Sequence, residues 1–294
     1  MIRLNKYIAD SGYCSRREAD AYIEQGRVTI NGREAVIGYM VLPTDRVAVD
    51  GEMIKGFEKA KKRVYIVLNK PVGITCTTDL SDRTNIISYV KHRERIFPIG
   101  RLDKLSQGLI LLTSDGDIVN KILRAGNAHQ KEYIVAVNKP ITDDFIQRMS
   151  AGMKLEDGTL TLPCKVFREN ERSFRILLVQ GLNRQIRRMC MMLRYNVEKL
   201  ERVRIMNITL KGLPHGKWRE LTEQEVKTII EMVEGSDSGE QASKVQAPKQ
   251  LPRPPGHSKQ QTREVAKPHA ANPRNRGKSG SIPTGDKQRP RRRR

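Results

Sequence analysis

The sequence predicts an α+β protein: a small helix-and-hairpin module, a linker, a larger mainly antiparallel mixed α/β domain, and a disordered basic tail. Three observations carry this expectation. Residues 2–54 hold two short amphipathic helix patterns followed by Asn-Gly and Asp-Gly turns between apolar pairs. From Val64 to Glu234 the apolar runs are mostly strand-sized, and their order is not the alternating β-α-β of a doubly wound sheet. Residues 235–294 hold eight of the 14 prolines, no aromatic residue, and 15 Lys/Arg against 4 Asp/Glu. Such a segment cannot bury enough apolar surface to offset its ordering entropy. The expected domains are therefore 1–60, 61–234 and 235–294.

In the first module, "RLNKYIADSG" places Leu4, Tyr7 and Ile8 at helical spacing and stops at Gly12. "SRREADAYIEQG" opens on a capping box, Ser15 with Glu18, puts Ala19, Tyr22 and Ile23 on one face, and ends at Gly26. "RVTINGREAV" and "DRVAVDGEMI" each read as a hairpin. Arg3, Lys6, Arg16, Arg17 and Arg27 crowd the two helices, which favours phosphate binding over an ordinary solvated face. "KGFEKAKKR", Lys55 to Arg63, is polar and reads as a linker.

In the larger domain, "VYIVLNKPVG" is a strand closing on a Pro-Val-Gly turn, and "RIFPIG" and "LILLTS" flank the polar loop "RLDKLSQG". "IVNKILRAG" is a helix, "EYIVAV", "FRILLVQG" and "IMNITL" are strands, and "NRQIRRMCMMLRY" and "TEQEVKTIIEMVEG" are helices, the last capped by Thr222 and Glu225. The helices are expected to pack on one face of the sheet.

Composition narrows the function. Fifty-five Lys/Arg against 33 Asp/Glu give +22, half of it in the tail, so the body is basic in its own right and a polyanion is the expected partner. No apolar run approaches the ~20 residues that span a bilayer, and "MIRLNKYIADSG" lacks the apolar core of a signal peptide. Cys14, Cys76, Cys164 and Cys190 form no C-x-x-C pair, which fits a reducing cytoplasm and argues against a disulfide framework or a zinc site. No metal is expected. Neither G-x-G-x-x-G nor G-x-x-x-x-G-K-[ST] occurs, so nucleotide cofactors lack a signature and no cofactor is expected.

Within "GRLDKLSQGLILLTSDG", Asp103 sits between Arg101 and Lys104 on a loop framed by two apolar strands. A lone Asp there is ordinarily a turn former. The rigid frame, the neighbouring cations that would keep a carboxylate ionised, and the lack of any other nucleophile constellation point instead to chemistry. In "VQGLNRQIRRMCMMLRY", Ile186, Met189, Cys190 and Leu193 form a core stripe, leaving Arg184, Arg187 and Arg188 to point elsewhere. Tyr133 alternates with Val135 and Val137, so it is either a core ring or a platform for an unstacked base.

"RLNKYIADSGYCSRREADAYIEQGRVTING" resembles the S4 RNA-binding module. "GRLDKLSQGLILLTSDGD", "KEY" and "GLNRQIRRM" resemble the three motifs of the RsuA/RluB/RluE/RluF group of RNA pseudouridine synthases, and the longer stretches around them resemble its RluF branch. Together the resemblances cover Met1 to Glu234. They imply that a uridine in RNA is isomerised without a cofactor: in 23S rRNA near the peptidyl-transferase centre, and in the anticodon of tyrosine tRNA. They imply that Asp103 is the catalytic aspartate, that Tyr133 packs on the target uracil, that Arg187 pairs with the aspartate, and that Leu200 lines the uracil pocket. Arg101, Leu102, Asp103 and Lys104, with Asn183, Arg184, Gln185 and Ile186, match segments that touch RNA. A cytoplasmic monomer is the corresponding expectation. A non-catalytic S4-type RNA-binding or ribosome-assembly protein is the alternative, and an intact Asp103, Tyr133 and Arg187 set disfavours it.

Overall fold

A computed structural model describes residues 1–54 and 63–236. The expected linker falls outside the described residues except for Arg63, and so does the expected disordered tail from position 237 onward.

The N-terminal module begins with β1 (Ile2–Arg3), α1 (Leu4–Asp10) and α2 (Arg16–Glu24). Leu4, Ile8, Ala19 and Ile23 seal these helices onto a small core. The Ser15 hydroxyl accepts from the Glu18 N–H, and the Glu18 carboxylate accepts from the Ser15 N–H. Caps of this kind contribute about 1 kcal/mol. β2 (Val28–Ile30), β3 (Arg33–Glu34), β5 (Val47–Val49) and β6 (Glu52–Met53) form an antiparallel sheet in the order β3-β2-β5-β6, while β4 (Met40–Val41) pairs with β1. Both hairpins turn on residue pairs with positive φ, Asn31-Gly32 at 54° and 80° and Asp50-Gly51 at 53° and 82°. Such turns match the strand twist, which is why these dipeptides were legible. Tyr22 packs half-buried against the same core, with Arg27 4.0 Å above its ring.

The larger domain runs β7 (Tyr65–Lys70), α3 (Ile86–Val90), β8 (Phe97–Ile99), β9 (Gln107–Thr113), α4 (Gly116–Leu123), β10 (Lys131–Val137), α5 (Asp143–Ala151), β11 (Lys165–Asn170), β12 (Ser173–Leu178), α6 (Gln185–Met192), β13 (Val197–Ile205), β14 (Ile208–Thr209), β15 (Trp218–Glu220) and α7 (Glu223–Val233). Its mixed sheet is ordered β11-β12-β10-β13-β9-β7-β15, with β14 added to β13 and β8 to β9.

Helices cover both faces of this sheet, which corrects the one-faced expectation. Ile66, Leu68, Ile110 and Leu112 meet Phe145 and Met149 of α5 and Ile186, Met189 and Cys190 of α6. Tyr65, Val67, Leu109 and Leu111 point the other way, onto Ile118 and Ile122 of α4 and Ile229 and Val233 of α7. The reason lies in β7 and β9, whose apolar runs do not alternate because both faces are buried. "IMNITL" is likewise not one strand: β13 ends at Ile205, Met206 takes a φ of 52°, and the chain reverses into β14. No helix among the described residues is long and apolar enough to cross a membrane.

One seam joins the two halves of the sheet. β13 pairs with β9 in parallel through Glu201 opposite Gln107 and Arg202 opposite Gly108, and every other pairing in the sheet is antiparallel. Gly108 has a φ of 103°, and a Cβ there would fall 2.3 Å from the Arg202 carbonyl oxygen. Gly108→Ala is therefore expected to destabilise the protein by at least ~2 kcal/mol, combining backbone strain with a backbone clash. Gly158 also has a positive φ, 83°, but its nearest neighbour is a flexible Lys154 carbon at 3.8 Å. Gly158→Ala should lose only about 1 kcal/mol. Urea unfolding of the two variants checks the contrast.

Candidate active site

The loop from Gly100 to Ser106 joins β8 to β9 at this seam. The Ser106 N–H donates to the Asp103 carbonyl at 2.9 Å, closing a turn that presents the Asp103 carboxylate. Leu102 is buried beneath it, with its N–H 3.4 Å from Cys76 Sγ. The Gly73 N–H donates to the Lys104 carbonyl at 2.8 Å, fastening the loop to the turn after β7. That turn is held by Lys70, whose fully buried ammonium donates to the carbonyls of Pro71 (3.0 Å) and Ile74 (2.8 Å). Asp103 is thus a half-buried group on a fixed base.

Asp103, Tyr133, Arg187 and Leu200 line one cleft, Tyr133 reaching it from β10, Leu200 from β13 and Arg187 from α6. Arg187 Nε stands 3.9 Å from Asp103 Oδ2. Its other nitrogens are committed to the protein: Nη1 donates to the Val197 carbonyl, and Nη2 to the Leu105 carbonyl and the Ser106 hydroxyl, at 3.1–3.2 Å. Burial pushes the Arg187 guanidinium below its ordinary value, and the charge of Asp103 pulls it back up. The expectation that Arg101 and Lys104 hold the aspartate is corrected here. Both are exposed and neither forms an ion pair with it among the described residues, because successive side chains of a loop diverge. Its cation comes from a different element.

Arg101, Leu102, Arg184, Gln185 and Ile186 also border the cleft. Of these, Leu102, Gln185 and Ile186 are almost wholly buried, and the Gln185 side-chain Oε1 caps its own turn by accepting from the Leu182 N–H at 3.1 Å. These three side chains shape the cleft from within. The surface left to a polyanion is that of Arg101, Lys104, Asn183 and Arg184, all exposed. Arg184 initiates α6 from a left-handed conformation, φ 47°, while Arg188 is occupied by Glu156 and Asp157 at 2.6 Å each.

The five cations of the N-terminal module divide in two. Lys6 bridges Asp10 and, from the larger domain, Asp117, and Arg27 pairs with Asp50. Arg3, Arg16 and Arg17 are exposed and form no ion pair among the described residues. Sequence reasoning missed Lys70, Ser106 and Arg202 as members of the site's framework. Only Lys70 left a trace, as a charged residue closing an apolar strand.

Comparison with known proteins identifies the family. Residues 64–191 match the family described as RNA pseudouridylate synthase, and residues 2–47 match the S4 domain. The chain is 59% identical over 237 residues to the dual-specificity RNA pseudouridine synthase RluF of Escherichia coli strain K12, covering 81% of each protein. It is 34% identical over 238 residues to the ribosomal large subunit pseudouridine synthase B of Bacillus subtilis strain 168, covering 78% of this chain and 96% of that protein. A crystal structure of a pseudouridylate synthase superimposes with a TM-score of 0.57 at 26% identity, covering 78% of this chain and all of the other. The chain belongs to the RluF-type RNA pseudouridine synthases and is an isomerase.

Two residues before Tyr133 on β10, the Lys131 ammonium is buried and, among the described residues, donates to the carbonyls of His129 (3.3 Å) and Val179 (3.4 Å). Burial, with a smaller push from Arg202, lowers its pKa to about 8. An unfolded lysine titrates near 10.4. Between those values the unfolded chain holds the extra proton, so stability due to this group rises as pH climbs from about 8 to about 10.4. Lys131→Met should lack that rise. In urea unfolding, the stability of wild type relative to the variant should increase across this window; a constant difference would refute the depressed pKa.

Proposed function

We propose that this RNA pseudouridine synthase performs its isomerisation in the cleft of Asp103, with Arg187 and Tyr133 as the other active-site groups. The convergence of Asp103, Tyr133, Arg187 and Leu200 from four different elements onto one cleft supports this reading above all. In the reaction the bond between uracil N1 and ribose C1′ breaks, the base turns, and C5 bonds to C1′ as C5 loses its proton and N1 gains one. Atoms balance within the substrate, so the protein has to bind, orient and supply one ionised carboxylate. Asp103 is that carboxylate, acting on the sugar at C1′ or on the C2′ proton, with Arg187 Nε the cation that faces it at 3.9 Å.

A uridine stacked in RNA must first be turned out of its stack, which costs a few kcal/mol. Tyr133 offers its ring to the extruded uracil and Leu200 an apolar wall. Stacking of a base on an aromatic ring contributes about 1–3 kcal/mol, enough to offset much of that. Arg101, Lys104, Asn183 and Arg184 at the cleft, and Arg3, Arg16 and Arg17 on the S4 module, contact the phosphate backbone. The basic tail, 15 Lys/Arg against 4 Asp/Glu, adds contacts that are indifferent to sequence.

The substrates proposed are a uridine of 23S rRNA near the peptidyl-transferase centre and the middle anticodon position of tyrosine tRNA. The match to a dual-specificity enzyme at 59% identity, against 34% to a large-subunit synthase, supports this choice. The enzyme acts as a monomer in the cytoplasm, a compartment consistent with its four free cysteines.

Carbodiimide primer-extension mapping on unmodified 23S rRNA and tyrosine tRNA tests the assignment. Wild type should produce new stops on both RNAs, and Asp103→Asn none on either. Activity retained in Asp103→Asn would remove the aspartate from its role. Deleting residues 237–294 should weaken RNA binding and flatten its dependence on salt concentration, with kcat retained. A truncation that binds RNA with an unchanged salt slope would contradict the tail's role.

A further inference from the structure

Arg202 is 3% exposed, yet no carboxylate pairs with it among the described residues. Its Nε donates to the Leu109 carbonyl at 2.6 Å, and its Nη2 is buried without a hydrogen-bond partner among the described residues. A buried guanidinium satisfied this incompletely is a burden on stability, and replacing such groups by apolar ones is often neutral or better. A stability role therefore does not explain why an arginine stands here.

Its surroundings do. Arg202 lies directly across from Tyr133 in the β10–β13 register, next to a bulge between Glu132 and Tyr133. Its guanidinium carbon sits over the Tyr133 ring, 5.9 Å from the centroid. Tyr133 borders the cleft and Arg202 does not, so the cation approaches the ring from the protein side. The Arg202 main chain is also the one that presses on Gly108, and its side chain holds Leu109, the next residue of β9. One residue thus grips the strand that follows the Asp103 loop and backs the ring that faces the substrate.

We infer that Arg202 is a positioning residue that sets the Tyr133 ring relative to Asp103, using its buried cation as the ring's rear support and its Leu109 bond as the ruler. This rests on the pseudouridine synthase reading of the cleft. The ring face is negative and attracts the guanidinium, so the tilt of Tyr133 becomes coupled to the start of β9. Lysine cannot replace it fully, because a compact ammonium cannot bond the Leu109 carbonyl and underlie the ring together.

The test uses the full chain labelled with 3-fluorotyrosine, the Tyr133 resonance being the one missing from Tyr133→Phe. In Arg202→Met that resonance should move, and in Arg202→Lys it should return part of the way. On the RNA substrates kcat should fall by on the order of 10- to 100-fold with KM changed less than about twofold, the signature of misplacement with binding intact. Should Arg202→Met not fold, Arg202→Lys carries the test, with lowered kcat at an unchanged thermal midpoint as the supporting result. An unmoved Tyr133 resonance, or wild-type kcat in a folded variant, overturns the inference. A resonance that moves in a protein whose wild type makes no pseudouridine would sink the functional reading and leave the positioning role standing.

Discussion

The site depends on a short parallel contact between β13 and β9. Without it the larger domain would be two antiparallel pieces, one carrying Tyr133 and Leu200, the other carrying the Asp103 loop at the head of β9. Two residue pairs make the contact, and they can approach only because Gly108 has no Cβ to strike the Arg202 carbonyl. The Gln107 side chain adds a bond to Glu201 across the same line, 3.1 Å long. Active-site geometry is therefore set by main-chain packing at the seam, and side chains refine it. α6 then crosses the gap, because Arg187 binds carbonyls on both sides, Val197 ahead of Leu200 and Leu105 in the loop.

That crossing explains the electrostatics. A guanidinium bonded bidentately to Asp103 would neutralise it and hold it still. Here three of Arg187's hydrogen bonds go to neutral acceptors, and the aspartate is left 3.9 Å from Nε. A cation at that distance faces the carboxylate without a hydrogen bond to its oxygens. Lys70 and Lys131 follow the same pattern, each buried and, among the described residues, donating to carbonyl oxygens, so β7 and β10 carry buried positive charge. Such an arrangement suits an anionic reactant and an anionic polymer above it.

What the sequence revealed follows from how local each feature is. Both N-terminal hairpins and both capping boxes were legible because Asn-Gly, Asp-Gly, Ser15 with Glu18 and Thr222 with Glu225 act over two to four residues. The α6 stripe was legible through its 3.6-residue period. α5 went unread because Phe145 and Met149 are its only buried residues, against Ile186, Met189 and Cys190 along the stripe of α6. β13 went unread because bulges at Glu132/Tyr133 and Ala136/Val137 break its alternation, and its buried positions include an arginine. Asp103 and Tyr133 could be singled out from their own neighbours, whereas the cation of the aspartate could not. Asp103's neighbours in sequence are cations too, so Arg187 was named as its partner through the family resemblance alone, and the fold places its Nε 3.9 Å from Oδ2.

The same distinction separates affinity from selectivity. A net charge of +22 draws any polyanion; residues 61–234 and residues 235–294 carry half of it each, while residues 1–60 are balanced between Lys/Arg and Asp/Glu. Part of the apparent basic face is spent inside the protein: Lys6 joins the S4 module to Asp117 of α4, and Arg95 donates to the Cys14 carbonyl at 2.5 Å. These contacts fix where Arg3, Arg16 and Arg17 can meet a phosphate relative to the cleft. Charge of this kind sets how tightly a polyanion is held and carries no sequence information, so a choice among uridines has to be made by something other than charge.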